Sequence, residues 1–307
     1  MGIADVLQPF ASSITYICSL LLATFAITII FKTSSTTNFA QSSIAAFGCY
    51  VGTGFLFKYG IPIWAALLIG VAFGIFCGVF IDVVIFRNGR MVNLAGKQII
   101  TMGLVSVIGN LIPMIYYYVD IPVVPSFVNM ENIQIPMGDG TVSITAHSLI
   151  CLAITVVVLV ALFLLLRFSK WGLGVRTTAS NEYVAQMMGV NTHVITAVTW
   201  GLAGGLGALA AIMYVSGPGI LSGPFFMTDF QVNAFLAGIL GGFSTFIGPI
   251  VGALIIPLLR TAIGLFATVD GLEFITQWDV VIVYLFALIV ILIRPNGIIG
   301  KKIAKKV

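Results

Sequence analysis

Charge is what this sequence has least of: 8% of its 307 residues are Asp, Glu, Lys or Arg, against 60% apolar. No soluble fold of this length manages with so little polar surface, so the solvent of the chain is a bilayer. Histidine is scarce as well. His147 and His193 are far apart in sequence, and no H-E-x-x-H pair is present. Cys18, Cys49, Cys77 and Cys151 stand singly in apolar runs and read as small packing residues, not as a redox or metal set. No two carboxylates share an apolar segment, which removes the usual acid–base pair of an enzyme. Gly96-Lys97-Gln98 lacks the first glycine and the terminal Ser or Thr of a phosphate loop. The chain is expected to be no enzyme, to hold no cofactor or metal and bind no ATP itself, and to have no nucleic-acid partner.

What is present is a series of long apolar runs without strict alternation, hence helices and not barrel strands. Hydropathy and chain breakers delimit nine segments, roughly 10–31, 39–57, 61–86, 98–118, 147–166, 192–215, 229–241, 246–267 and 279–293. The fold class is therefore an all-α polytopic membrane protein, a bundle of 8–9 transmembrane helices forming one domain over 1–307. Two segments are doubtful crossings. The one from Asn38 follows the polar stretch Thr33-Ser-Ser-Thr-Thr-Asn38, and 229–241 is short. Broken or re-entrant helices occur only where protein or an aqueous path covers them, so both are suspects for a pathway.

Lys and Arg collect on the cytoplasmic side of membrane proteins. Arg87, Arg90 and Lys97 share one loop, Arg167, Lys170 and Arg176 another, and Lys301, Lys302, Lys305 and Lys306 the tail. If all nine segments cross, every basic residue except Lys58 and Arg260 lies at the inner side, and every acid except Asp82 and Glu182 lies outside. The N-terminus is then external and the C-terminus cytoplasmic, in a prokaryotic inner membrane; a re-entrant Asn38 segment gives eight crossings with the N-terminus inside instead. The first residues carry no base and the run that follows lacks a cleavage site, so it is expected to be retained as a span.

The outer loop 119–146 is expected to form a hairpin of 133–135 with 141–145 around Gly138-Asp139-Gly140. The inner loop 167–191 carries a short helix over Glu182–Met188, capped by Ser180 or Asn181 and closed by Gly189. Glycines four apart, such as Gly70, Gly74 and Gly78 or Gly248 and Gly252, clear helix faces for close packing. Pro62-Ile63-x-x-Ala66-Leu67-x-Ile69 recurs as Pro249-Ile250-x-x-Ala253-Leu254-x-Ile256, a possible inverted repeat.

Candidate path residues are the polar ones inside spans. Asn38, Gln41 and Ser42 fall on one helix face, and a half-helix starting there would aim free N–H groups at an anion. Asn110 and Asn233 are further candidates. Arg260, an intramembrane charge, would snorkel, pair with an acid such as Asp270, or face the path.

The run of Arg176, Ala179, Ala185, Gly189, Val190 and Asn191 resembles the cytoplasmic coupling loop of the branched-chain amino acid permeases of ATP-binding cassette importers, the LivH type. Asn38-Phe39-Ala40, Trp171-Gly172, Leu240-Gly241-Gly242-Phe243-Ser244 with Gly248-Pro249, and Arg294-Pro295-Asn296-Gly297 extend the likeness over nearly the whole chain. The resemblance implies an importer subunit for a branched-chain or other small amino acid. Its partners would be two ATPase subunits, which bind the ATP, a second homologous permease and an external solute-binding protein. It also implies Arg176, Glu182, Ala185 and Gly189 as coupling residues. Tyr183 and Val184 depart from the importer pattern E-A-A-x-x-x-G, and Gln41-Ser42 and Arg260 depart along the path. Urea-like or nucleoside-like solutes, or a self-sufficient secondary transporter, are the alternatives.

Overall fold

A helix that is apolar on every side belongs inside a bundle. α2 (Ile14–Ser34) and α9 (Thr192–Ser216) are of this kind, and the computed structural model buries both along most of their length. The structure describes residues 2–34, 36–88, 92–116, 123–138, 140–217, 221, 223–269 and 272–300. Arg90, Asp139, Asp270 and the tail lysines from Lys301 on lie outside the described residues.

The two central helices run antiparallel, with Tyr16 against Tyr214 at one end (ring centroids 6.3 Å apart). Thr33 and Ser34 share a cavity with Thr196 and Trp200 at the other. α2 is followed by α3 (Gln41–Tyr59), α4 (Ile63–Phe80) and α5 (Leu94–Tyr116). α9 is followed by α10 (Thr228–Gly241), α11 (Ile247–Phe266) and α12 (Asp279–Ile293). In each set the third helix packs antiparallel on the central helix of the other. α4 meets α9 where Gly74 and Gly204 leave no room for a Cβ on either side, and α11 meets α2 through Phe25 and Phe246. The two sets thus repeat one arrangement with the chain direction reversed, and the recurring Pro-Ile motif marks the start of α4 and of α11.

Seven described helical stretches are long and apolar enough to cross a bilayer: Ile3–Ser34, Ile63–Phe86, Leu94–Tyr116, Ala146–Phe168, Thr192–Ser216, Ile247–Phe266 and Phe274–Ile293. The two apolar segments outside that set are α3 and α10, the two that the sequence marks as doubtful. Past Phe80, α4 continues as a π-helix, Ile81–Phe86, with Arg87 N–H donating to the Asp82 carbonyl at 3.0 Å.

The remaining elements close the ends. α1 (Ile3–Ser12) precedes α2, and α6 (Ala146–Phe168), α7 (Lys170–Ser180) and α8 (Glu182–Met187) link the two sets. The hairpin forms as expected, slightly longer: β1 (Ile133–Met137) pairs antiparallel with β2 (Gly140–Ile144), and Gly138 supplies φ +60° at the turn. Gln8 of α1 holds its side-chain amide against β2, donating to Ser143 O at 3.0 Å and accepting from Ser143 N at 2.7 Å. Phe127 stacks between Trp64 and His147 and seats the loop before the hairpin on the bundle.

Candidate functional site

The chain between α2 and α3 turns back within the protein, and neutral amides hold the turn. Asn38 accepts from Ala40 N at 3.0 Å and donates to Gln41 Oε1 at 3.2 Å. Gln41 donates to the Ala203 carbonyl in the middle of α9 at 2.7 Å. From α10, Gln231 accepts from Ser42 N and donates to the Phe39 carbonyl, both at 2.6 Å. Each bond satisfies a backbone or amide group that an interrupted helix would leave open in hydrocarbon. Asn38 and Gln41 are buried, and their amides hold the turn between α2 and α3. Of the expected free N–H groups at the start of α3, that of Ser42 is taken by Gln231.

Ser42 is placed differently. It lines a groove of about 300 Å³ with Phe39, Met102, Ser106, Thr228 and Gln231, between α5 and the first turn of α10. Asn110 lies one turn beyond Ser106 on the same exposed face of α5 and donates to its carbonyl at 2.7 Å. Polar atoms on a lipid-facing surface are unfavourable, so this face needs a cover. Ser106, Thr228 and Gln231 were not singled out from the sequence. The signal for Gln231 was there, as a neutral amide in a short apolar segment matching Gln41.

Arg260 and Asn233 belong elsewhere. Arg260 donates to Asp279 Oδ2 from Nη2 at 2.9 Å and from Nε at 3.1 Å, joining α11 to α12. The same guanidinium neighbours the Tyr16 hydroxyl, which accepts from Asn233 Nδ2 at 3.0 Å. The expected pairing with an acid is met, but by Asp279. Arg260 and Asn233 do not line the groove; with Tyr16 and Asp279 they tie α2, α10, α11 and α12 together.

At the end of the bundle that carries Arg87 and Arg167, α7 and α8 form a rigid connector. Ser169 caps α7 by accepting from Gly172 N at 2.9 Å, and Asn181 caps α8 by accepting from Val184 N at 3.2 Å. Gly189 closes α8 at φ +81°, a conformation that side chains disfavour. Gln186 bonds Thr192 Oγ1 at 2.8 Å and pins α8 to the start of α9. Ala185, expected as a contact for a partner, points inward and is 1% exposed. Its small size serves packing within the chain. The outward face is instead Tyr183, Val184, Met187 and Met188, with Met187 88% exposed. Glu182 and Arg176 are also exposed, Arg176 donating to the Arg167 carbonyl at 3.4 Å.

Residues 10–293 match the family described as "Branched-chain amino acid transport system / permease component". The high-affinity branched-chain amino acid transport system permease protein LivH of Salmonella typhimurium is 25% identical over 183 residues, 60% of this chain and 57% of that protein. The chain thus spans little more than half the length of that relative. A probable LivH of Methanocaldococcus jannaschii is 25% identical over 94% of this chain and 90% of its own. BraD of Pseudomonas aeruginosa is 29% identical over 54% of this chain and 52% of its own. Among solved structures, a chain of PsaBC from Streptococcus pneumoniae in complex with Fab has the same fold, with a TM-score of 0.51 at 15% identity over 95% of both chains. The seven membrane-long helices, the two sets of opposite sense and the match over 10–293 agree: this chain belongs to the permease-component family of branched-chain amino acid transport systems.

Proposed function

We propose that this chain is the membrane subunit of an ATP-driven importer for a branched-chain or similar small amino acid. The observation that carries the reading is the outward face of α8. Tyr183, Met187 and Met188 form an apolar patch on a short capped helix wedged between two spans, and exposed clusters of this kind mark protein contacts. Methionine adapts its shape to a moving partner. An ATPase subunit seated there would push on α7 and α9 and so on the central helix. With the basic residues on the cytoplasmic side, α8 faces the compartment that supplies ATP.

The groove between α5 and α10 supports a second permease. The exposed Ser106 and Asn110 beside it need a polar cover in the membrane. A homologous subunit would complete the path and leave Ser42, Ser106 and Thr228 to pass a polar solute. The opposite end, where the hairpin sits, would receive the external solute-binding protein.

Reconstitution tests the reading. The chain combined with its second permease, two ATPases and the binding protein is expected to accumulate L-leucine in liposomes only when ATP is supplied. Leucine transport by the chain alone, without ATP, would sink the importer reading in favour of a secondary transporter.

A further inference from the structure

A second polar cavity lies away from the groove, between α8 and the bundle. It encloses about 400 Å³, within the range of small-molecule sites. Its walls include Asp82, Phe86, Arg87, Lys97, His193 and Trp200, and α8 contributes Glu182 and Gln186 from the other side. Nothing in the proposed transport path uses it.

The π-helix at the end of α4 gives the cavity its character. An α-helix places residues i and i+4 on one face and turns i+5 away; the wider π-turn brings both round to the same side. Asp82, Phe86 and Arg87 therefore all line the cavity, although they are four and five residues apart. π-turns recur at functional sites.

The chemistry is of mixed sign, in an ordered arrangement. Asp82 is buried, 7% exposed, and among the described residues its only side-chain donor is Thr196, at 3.3 Å to Oδ2. Arg87 and Lys97 also make no ion pair among the described residues, where the single salt bridge is Arg260 with Asp279. A bare anion is disfavoured by the carboxylate, and a bare metal ion by the two cations. Phe86 and Trp200, with ring centroids 4.9 Å apart, add an apolar wall. A ligand with an ammonium group for Asp82, a carboxylate for Arg87 and Lys97, and a hydrocarbon side chain for the two rings meets each of these groups.

We propose that this cavity is a second binding site, distinct from the transport groove, for a zwitterionic amino acid with an apolar side chain. The choice of side chain rests on the proposed amino-acid permease function. An occupant would touch α4, α5, α8 and α9 together and fix α8 relative to the bundle. At the cytoplasmic end of the chain, the site would sense solute already imported.

Equilibrium binding of radiolabelled L-leucine to the full chain in lipid nanodiscs tests this. Saturable binding is expected. Both 4-methylpentanoate, which lacks the ammonium, and leucinamide, which lacks the carboxylate, should compete at least about tenfold less well than leucine. Asp82→Asn should weaken binding by about tenfold or more. Lys97→Gln, at the half-buried rim, should do so too and guards against a folding defect at Asp82. The absence of leucine binding, equal competition by the two analogues, or binding lost in Gln231→Leu but kept in Asp82→Asn would overturn the proposal. None of these outcomes depends on ATP-driven uptake by the complete assembly, so the two readings fail separately.

Discussion

Two polar networks lie within the helices of this chain, and they use different materials for different tasks. Around Asn38, Gln41 and Gln231 every group is a neutral amide and most partners are backbone atoms. Around Arg260 the partners are side chains, an ion pair with Asp279 beside the Tyr16–Asn233 bond. The amides sit at the turn between α2 and α3 and supply hydrogen bonds to backbone groups buried there. The ion pair sits between two uninterrupted helices and replaces no backbone bond. Amide chemistry closes a buried turn, whereas charge fastens helices to each other.

That contrast is sharpest in the Arg260→Leu variant. It leaves Asp279 as an unpaired, partly buried carboxylate and should destabilise the protein by about 3 kcal/mol. The double variant Arg260→Leu with Asp279→Leu should recover most of the loss. Thermal unfolding in detergent measures both, and a double variant as unstable as the single one would show that the pair is not the fastening. Next in size is Gln231→Leu, which strands Ser42 N–H and the Phe39 carbonyl at a cost of about 2 kcal/mol. Uptake should fall with it, because α3 and α10 lose their tie at the groove. Unchanged stability together with unchanged uptake would remove Gln231 from both roles.

A third prediction turns to the surface, where polarity matters for contact and little for folding. Met187→Asp combined with Tyr183→Asp should change stability by no more than about 0.5 kcal/mol. ATP hydrolysis stimulated by solute should nevertheless fall more than about tenfold as the apolar patch is lost. Co-purification of the ATPase reads the same effect, and full retention would refute the docking role of α8. The smallest effect is expected for Asn110→Ala, within about 0.5 kcal/mol in stability, because its bond to Ser106 is on an exposed face. A large drop in assembly with the second permease would instead make Asn110 a principal contact.

Much of this architecture was legible from the residues. The nine apolar segments correspond to the observed helices, with α1 and α2 as the first, and the two doubtful ones are the two outside the membrane-long set. α8 was legible because its signals are local, Asn181 before it and Gly189 after it. The hairpin was legible from its turn for the same reason. α7 was missed because Gly172, Gly174, Thr177 and Thr178 are weak helix formers, and packing against the bundle overrides them. The partners of Gln41 and Arg260 were not legible. Ala203 is a backbone carbonyl 162 residues away, and Asp279 was one of several acids within reach. Ala185 misled for a related reason: a small residue marks close approach without saying from which side. The π-helix has no sequence signature that periodicity reveals.

The Gln8 contact has a consequence for how this protein meets other chains. An isolated two-stranded hairpin presents two open edges, each a template for a foreign strand. Ser143 turns its N–H and C=O away from β1, and the Gln8 amide occupies both, so the β2 edge is filled by a side chain acting as a one-residue strand. By the alternation of an antiparallel pair, Gln134 and Pro136 turn their backbone toward the other edge, and Pro136 has no N–H to offer. Each edge is blunted at one position, and α1 packs along β2 besides. Replacing Gln8 or Pro136 would therefore leave the bundle intact and still make the molecules prone to stick to one another, edge against edge.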